Sequence, residues 1–552
     1  MASPHGSTTG ANRVSRPEWV GLALAATLLV AFRLHAFDLP LETDECNYAY
    51  IGSRLLAGDR LYLDVWDHQP FGVFALFAGA IAMFGDAPEV FRWTATAFSL
   101  ASLALVFAML RRTASPIAAV AGAFLFAMAS SDPGTAGEGC NREIYMNTLI
   151  LAAWYLAAAR GGQNRRVSPC SLFLAGSALA VASAIKTVVA VHWLLLAIWI
   201  AWDRAAAAPH GLRIRAATRT IALFAFGPIL LWAVAFAYFG GTGRIHEFVD
   251  AVFLFNVGYS GGGSSFASRF VDFFRPKRHP FIFDSAMPLW FAGAAGTLWL
   301  AFEAVQRRDR TATAVLALVV SGFVAVCLPA HFWPHYYYLM IPPLVIAFAL
   351  GADRLAGGLR SRRAGRTDFD RSLTWLVYGV IVVGLFFTQY RDYLKQPPFG
   401  ITVKRYNSRD FWGRAQGENV ARVTDPDDEV FVFGNEAEIY YYAQRRCASR
   451  YTMVTALQVG GPTAGDRLRT LIDDLKAHPP RLIVVLFDIQ DPPEEWKTFL
   501  RERYTDPVGW DFHDQTGKPI MFVVARKDRP IAEINWDWDR SSVGGWMLGE
   551  QR

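Results

Sequence analysis

The stretch "LETDECNYAYIGSRLLAGDRLYLDVWDHQP", residues 41–70, sets two adjacent carboxylates, Asp44 and Glu45, directly after the first long apolar block of the chain. A double negative charge a few residues beyond a hydrocarbon boundary is poorly hydrated and costly to keep. A helix start accounts for part of it. Thr43 or Asp44 is placed to cap a short helix in which Tyr48, Ile51, Leu55 and Leu56 share a face and Gly58 ends the run, with Glu45 in the favourable first turn. Capping leaves the far end of the segment unexplained, where "DVWDHQPFG" gathers Asp64, Asp67 and His68.

Working outward, the composition is that of a membrane protein. Of 552 residues 53% are hydrophobic, 14% aromatic and only 18% charged, too apolar for a soluble enzyme of this length. The apolar residues fall into blocks of about 16–23, enough to cross a hydrocarbon layer of about 30 Å with some tilt or shortfall. Spans are expected at 19–37, 88–110, 116–131, 144–159, 169–184, 186–202, 217–239, 287–305, 311–330, 336–351 and 372–390, about eleven in all. Arg13 and Arg16 precede the first, no small-residue cleavage site follows it, and it reads as a retained helix.

Basic loops stay in the cytoplasm. Arg111 and Arg112; Arg160, Arg165 and Arg166; Arg204, Arg213, Arg215 and Arg219; Arg307, Arg308 and Arg310; and Arg354, Arg360, Arg362, Arg363 and Arg366 occupy alternate loops. All become cytoplasmic if residues 1–18 are a cytoplasmic tail and the transmembrane domain, 19–390, crosses eleven times. Residues 71–85, "FGVFALFAGAIAMFG", would break that parity as a crossing and are read as a juxtamembrane helix. The outer face then carries loops 38–87, 132–143, 240–286 and 331–335, together with residues 391–552. In that last segment "EVFVFG", "RLIVVLF" and "PIMFVVARK" alternate with helical pieces such as "GDRLRTLIDDLKAH", the order of a small extracytoplasmic α/β domain with a partly parallel sheet.

No G-x-G-x-x-G, Walker loop, H-E-x-x-H or Cys/His metal spacing is present. The net charge of +6 belongs mostly to the arginine loops and points to membrane orientation, with no nucleic-acid partner. Cys46, Cys140 and Cys447 lie outside the spans where a disulfide is permitted, yet buried free thiols are the expected state.

Ionisable groups converge on the outer face. "EVFRW" puts Arg92 near the outer end of a span, and "EGCNREIYMN" puts Glu138, Asn141, Arg142 and Glu143 at another outer mouth. Lys186 sits between two apolar stretches, and "HFWPHYYYLMIPP" sets His331 and His335 at a further corner. A carboxylate suits a general base for a hydroxyl, while Arg, Lys and His suit a phosphate leaving group on a lipid. Each residue also has a structural reading: Arg92 as a snorkelling side chain, Lys186 as a flank, Glu138 and Glu143 as helix-start carboxylates, Tyr336 to Tyr338 as an aromatic belt.

Asp44-Glu45, Tyr48, Gly52, Leu55 to Gly58, Tyr62, Asp64, His68 and Pro70, followed in order by "FRWTATAFSLASL", "NREIYMN", "ALAVASAIKTVV", "FNVGY" and "HYYYLMIPP", resemble bacterial members of glycosyltransferase family 39 over about residues 19–350. These are membrane transferases of the GT-C fold, akin to protein O-mannosyltransferases and the aminoarabinose transferase of lipid A. The resemblance implies inverting transfer of a sugar from a polyprenyl-phosphate donor to an acceptor hydroxyl of a glycan, lipid or protein on the outer face of the plasma membrane. It implies Asp44 as base with Glu45 beside it, and Tyr48, His68, Asn141 and Glu143 around acceptor or sugar. Arg92, Lys186, His335 and His331 would meet the departing phosphate. Where the family carries Pro-Pro after a basic residue, this chain has His68-Gln69-Pro70. No cofactor is required by the sequence; the carboxylate-rich loops could hold a divalent cation, although no spacing demands one. The competing classes are a multi-span lipid or sugar transporter, whose charges would sit near the midplane between repeats, and a non-catalytic scaffold indifferent to loss of Asp44.

Overall fold

The computed structural model describes residues 14–159, 167–260, 264–276, 279–362, 367–406, 409–460, 463–486, 493–512 and 519–531. Arg160, Arg165, Arg166, Arg363 and Arg366 of the arginine loops lie outside them. Long helices dominate the first 390 residues. In order they are α1 (Arg16–Leu34), α2 (Thr43–Leu56), α3 (Phe71–Phe84), α4 (Pro88–Thr113), α5 (Pro116–Ala129), α6 (Arg142–Trp154, continued by a π-turn to Ala159), α7 (Pro169–Ile185), α8 (Ala190–Ala207) and α9 (Arg213–Gly241). Three short helices follow, α10 (Ile245–Val249), α11 (Phe255–Ser260) and α12 (Phe266–Phe274). The bundle resumes with α13 (Met287–Arg307), α14 (Arg310–Cys327), α15 (Pro334–Tyr337), α16 (Ile341–Arg362) and α17 (Thr367–Gln389). Prolines sit in the first turn of α1, α4, α5, α7 and α13, where a missing N–H costs nothing.

Among the described residues seven helices are long and apolar enough to cross a membrane, and Phe71–Phe84, Pro116–Ala129 and Pro169–Ile185 are shorter apolar helices. Large side chains such as Ile229, Phe291 and Leu298 stay exposed on their outer surfaces, as lipid-facing positions of a polytopic protein do. The sequence expectation of about eleven spans counts several helices that fall below that length.

Charged partners gather at one end of the bundle. Arg111 pairs with Glu18, Arg354 with Glu303 and Asp309, and Arg310 with Asp203, while Asp353 accepts from the Ser115 amide at the start of α5. The opposite end carries residues 35–70, 130–142, 331–337 and the C-terminal lobe. Helix α3 begins beside the Asp67–Gln69 turn, and just past its end the Asp86 carbonyl accepts from Tyr441 of that lobe. Both ends of α3 therefore lie on the lobe side, and at 14 residues it is about 21 Å long, short of the hydrocarbon thickness.

Residues 429–525 hold a five-stranded sheet: β1 (Glu429–Phe433), β2 (Arg446–Cys447), β3 (Leu482–Leu486), β4 (Gly509–Phe512) and β5 (Pro519–Ala525), in the order β2-β1-β3-β5-β4. β1 pairs parallel with β2 and β3, whereas β5 pairs antiparallel with β3 and β4. β3, and β1 after Glu429, are apolar because both faces are covered, with Trp496 stacked on Phe433 at 4.2 Å. This lobe rests on α2: the Cys447 amide donates to Tyr50 Oη (2.8 Å), Tyr442 Oη accepts from the Leu41 amide (2.8 Å), and Thr43 donates to Glu438 (2.6 Å).

Candidate active site

One position of the opening segment differs from its sequence reading. The cap of α2 falls on Glu42, and the Glu42 amide donates to Glu45 Oε2 at 3.2 Å. Thr43 and Asp44 are already inside the first turn, so the Asp44 carboxylate is released from capping.

It is used elsewhere. Asp44 Oδ2 lies 3.4 Å from Arg142 Nη1 and 3.9 Å from His335 Nε2, and it accepts from Tyr48 Oη at 3.3 Å. Tyr48 and Asp44 are four residues apart on one face of α2, and the Tyr48 ring also carries the Arg142 guanidinium 5.5 Å from its centre. Arg142 and His335 are buried, whereas the Asp44 side chain keeps 30% of its surface exposed. A carboxylate with an open side and cations behind it can meet a hydroxyl from outside and pass negative charge inward.

Behind Asp44 stands a second charged pair. Lys186 Nζ donates to Glu143 Oε1 at 2.7 Å, Arg142 Nε approaches the same oxygen at 3.5 Å, and Lys186 rests 3.5 Å above the Tyr336 ring. Lys186 is there because α7 ends at Ile185 and the chain turns through Thr187–Val189 before α8, leaving the ammonium at the break. Glu143 is fully buried and its Oε2 makes no hydrogen bond; neither ring nitrogen of His335 makes one, nor does the amide of buried Asn141. Buried polar atoms left open in this way are uncommon in a finished core and mark a place where a ligand's polar groups fit.

A third layer comes from residues 66–70. His68 packs at a tilt against both Phe255 and Tyr259, with ring centres 5.1 and 5.0 Å away, and Tyr259 packs on His331 at 4.0 Å. His331 Nε2 is 3.1 Å from the Tyr259 carbonyl. Burial pushes the His68 imidazole down to about 4. Asp67 is buried and pushed up to about 7 by loss of solvent, with the Asp44 charge adding to the effect against its hydrogen bonds from Gln69 and Asn47.

The structure thus brings Asp44, Tyr48, Glu143, Lys186, His335, His68 and His331 into one region and adds Arg142, Asp67, Tyr259 and Tyr336. It sets two assigned residues apart. Glu45 Oε1 accepts from the Cys140 amide (2.5 Å) and its other oxygen from the Glu42 amide, so it ties α2 to the 139–140 turn. A Cβ at Gly139 would stand 2.5 Å from that carboxylate, which is why the turn needs glycine there. Arg92 donates to the carbonyls of Leu39 and Pro40 at 3.0 Å and of Glu138 at 3.4 Å. It clamps two outer loops from below. Cys46 and Cys140 are buried free thiols. Among the described residues no group of three or more His, Cys, Asp or Glu side chains has a metal-holding arrangement. A separate cavity of ≈ 610 Å³ lies on the other side of α2, walled by Tyr50, Arg54, Glu429, Tyr440, Arg446 and Arg481 among others. Its arginines are already partnered, Arg54 by Asp59 at 2.7 Å and Arg445 by the Thr424 side chain and carbonyl, for example.

The chain superposes on ArnT from Cupriavidus metallidurans in the apo state with a TM-score of 0.54 at 18% identity, covering 92% of this chain and 98% of that one. ArnT from the same organism bound to undecaprenyl phosphate gives 0.53 at 14% identity, with the same coverage. The Archaeoglobus fulgidus oligosaccharyltransferase in complex with an inhibitory peptide and a dolichol-phosphate gives 0.50 at 12% identity, over 95% of this chain and 75% of that one. No protein-family model matches the chain, and no curated sequence does. The fold is therefore that of the polytopic GT-C membrane glycosyltransferases.

Proposed function

We propose that this protein is a membrane glycosyltransferase that moves a sugar from a polyprenyl-phosphate donor to an acceptor hydroxyl, with inversion, at the outer face of the plasma membrane. One observation carries the reading: Asp44 is a partly open carboxylate set directly against the buried Arg142 guanidinium and the His335 imidazole, with the Lys186–Glu143 pair behind them. In the reaction Asp44 takes the acceptor's hydroxyl proton as the acceptor oxygen bonds to the anomeric carbon. The bond from that carbon to the phosphate oxygen breaks on the opposite side, and the lipid phosphate leaves with the electron pair. Arg142 and Lys186 as cations, and His335 as an imidazole N–H donor, are the groups suited to receive that charge, since pre-placed charges and dipoles in a water-poor site cost no reorganisation when it develops. The two similar structures bound to undecaprenyl phosphate and in complex with a dolichol-phosphate support a lipid-phosphate donor. Glycolipid, polysaccharide and protein hydroxyls all fit the acceptor side, and the donor sugar is a hexose or a pentose.

The test is Asp44→Asn in the purified protein, assayed with undecaprenyl-phosphate-linked mannose and arabinose, a hexosyl and a pentosyl donor. The isosteric amide cannot accept the proton, and loss of a general base costs about 10²–10⁴-fold in rate. Asp44 is not the cap of its helix, so the melting temperature should stay near wild type. Retained transfer by the variant overturns the assignment.

A further inference from the structure

The lobe and the residues beside Asp44 are joined by a buried chain of hydrogen bonds that spans 405 positions of sequence. Thr452 Oγ1 donates to Asn47 Oδ1 at 2.7 Å, and Asn47 Nδ2 donates to Asp67 Oδ2 at 2.6 Å. Asp67 Oδ1 accepts the Gln69 amide at 2.8 Å and lies 3.5 Å from His68 Nδ1. Asn47, Asp67 and Thr452 are all at most 3% exposed. Alongside, the Trp66 amide donates to the Arg450 carbonyl (2.9 Å) and the Trp66 ring meets Tyr451 at 5.4 Å and Phe255 at 5.1 Å. Residues 66–69 are thus gripped by the lobe on one side and by α11 on the other, where Asn256 holds the His68 carbonyl at 2.8 Å.

The chemistry of the chain has a direction. An asparagine between a hydroxyl and a carboxylate has one useful orientation, with its oxygen toward the donor and its NH2 toward the acceptor. The Asp67 carboxylate therefore fixes the NH2 end of Asn47, and the Thr452 hydroxyl, donating to the oxygen end, locks the amide in place. Asn47 sits on α2 one turn from Asp44 and next to Tyr48, so the same helix carries the proposed base and the bridge to the lobe.

Resting on the glycosyltransferase reading, we infer that the C-terminal lobe is a working part of the active site: Thr452, acting through Asn47 and Asp67, fixes the 66–69 turn that presents His68 beside Asp44. Asn47 and Thr452 are positioning residues. The groups facing Asp67 are Asp44 and Asn47 from α2 and Tyr62, His68 and Gln69 from its own segment. Loss of the Asn47 donor therefore raises the pH at which Asp67 ionises.

The experiment uses the full chain in detergent, comparing Thr452→Val with Thr452→Ser. Hydrogen–deuterium exchange should quicken across 64–70 in Thr452→Val and stay near wild type in Thr452→Ser, which restores the hydroxyl. With the same two donors, kcat should fall about tenfold in Thr452→Val, the size expected for one lost buried hydrogen bond. KM should stay within about twofold, since the donor's own contacts are untouched. The midpoint of kcat/KM against pH should move alkaline. Thr452→Ala repeats every arm should the valine variant not fold. Unchanged exchange across 64–70, or a kcat that falls only with the folded fraction, overturns the inference. A wild-type chain that transfers neither sugar overturns the glycosyltransferase reading instead, while the exchange comparison still decides whether the lobe holds the turn.

Discussion

Lys186 Nζ lies 2.7 Å from Glu143 Oε1, and both side chains are buried between the ends of α6 and α7. A buried ion pair adds little net stability over an apolar pair, but removing one member strands the other, at a cost of about 3–5 kcal/mol. Lys186→Met should therefore lower stability, by less than that amount because Arg142 Nε stays 3.5 Å from the same oxygen, and adding Glu143→Gln should recover most of it. Transfer activity should not return with stability, because the cation proposed to meet the departing phosphate is still missing. Thermal melts and turnover of the single and double variants check both halves.

Arg92 is expected to behave differently. It holds carbonyls of Leu39, Pro40 and Glu138 beneath the two loops that carry the site. Arg92→Ala should cost about 3 kcal/mol through those unpaired acceptors. Arg92→Lys should recover little, because an ammonium cannot reproduce the guanidinium fork. The Michaelis constant for the lipid donor, measured on the folded fraction, should be close to wild type; a large rise with unchanged melting would return Arg92 to the phosphate site.

That contrast shows what the sequence could carry. Asp44 was legible because two carboxylates at a hydrocarbon boundary need a reason, and Lys186 because a lone ammonium between apolar stretches does too. Arg92 looked the same by those criteria, yet its partners are backbone carbonyls, which leave no mark in a sequence. Arg142 and Glu143 stand side by side in "NREIYMN", and only the phase of α6 at its first turn decides that one reaches Asp44 and the other Lys186. The bundle followed from apolar block lengths, and the return of α3 from arginine parity. The Thr452–Asn47 contact joins segments with no shared pattern and was not readable at all.

Membrane orientation can be tested directly. Arg111, Arg310 and Arg354 meet acids at one end of the bundle, while Asp44, Lys186 and the lobe occupy the other. If basic ends stay in the cytoplasm, alkaline phosphatase fused after Tyr390 should be active and a cytoplasm-dependent reporter at the same point silent. The reverse pattern would place the site inside and remove the outer-face assignment.

Asp67 gives a pH signature whose sign is fixed by its environment. Its carboxyl titrates near 7 in the fold, raised mainly by burial, against about 4 in an unfolded chain. Between those values the native state keeps a proton that the unfolded state has released, so this group's contribution to stability is full below about pH 4 and is lost as pH rises through 7. His68, lowered to about 4 by burial, slopes the other way below its ordinary value, because there the unfolded chain binds a proton the native one refuses. The two partly cancel in the wild type, so a bare melting curve against pH does not isolate either. Asp67→Asn removes one of them. The amide still accepts from the Gln69 backbone, and its melting temperature relative to wild type should rise from pH 5 to about pH 7 and level off toward pH 8. A difference that is flat across that range would mean Asp67 is ionised throughout, and that the turn beside Asp44 carries a negative charge at neutral pH.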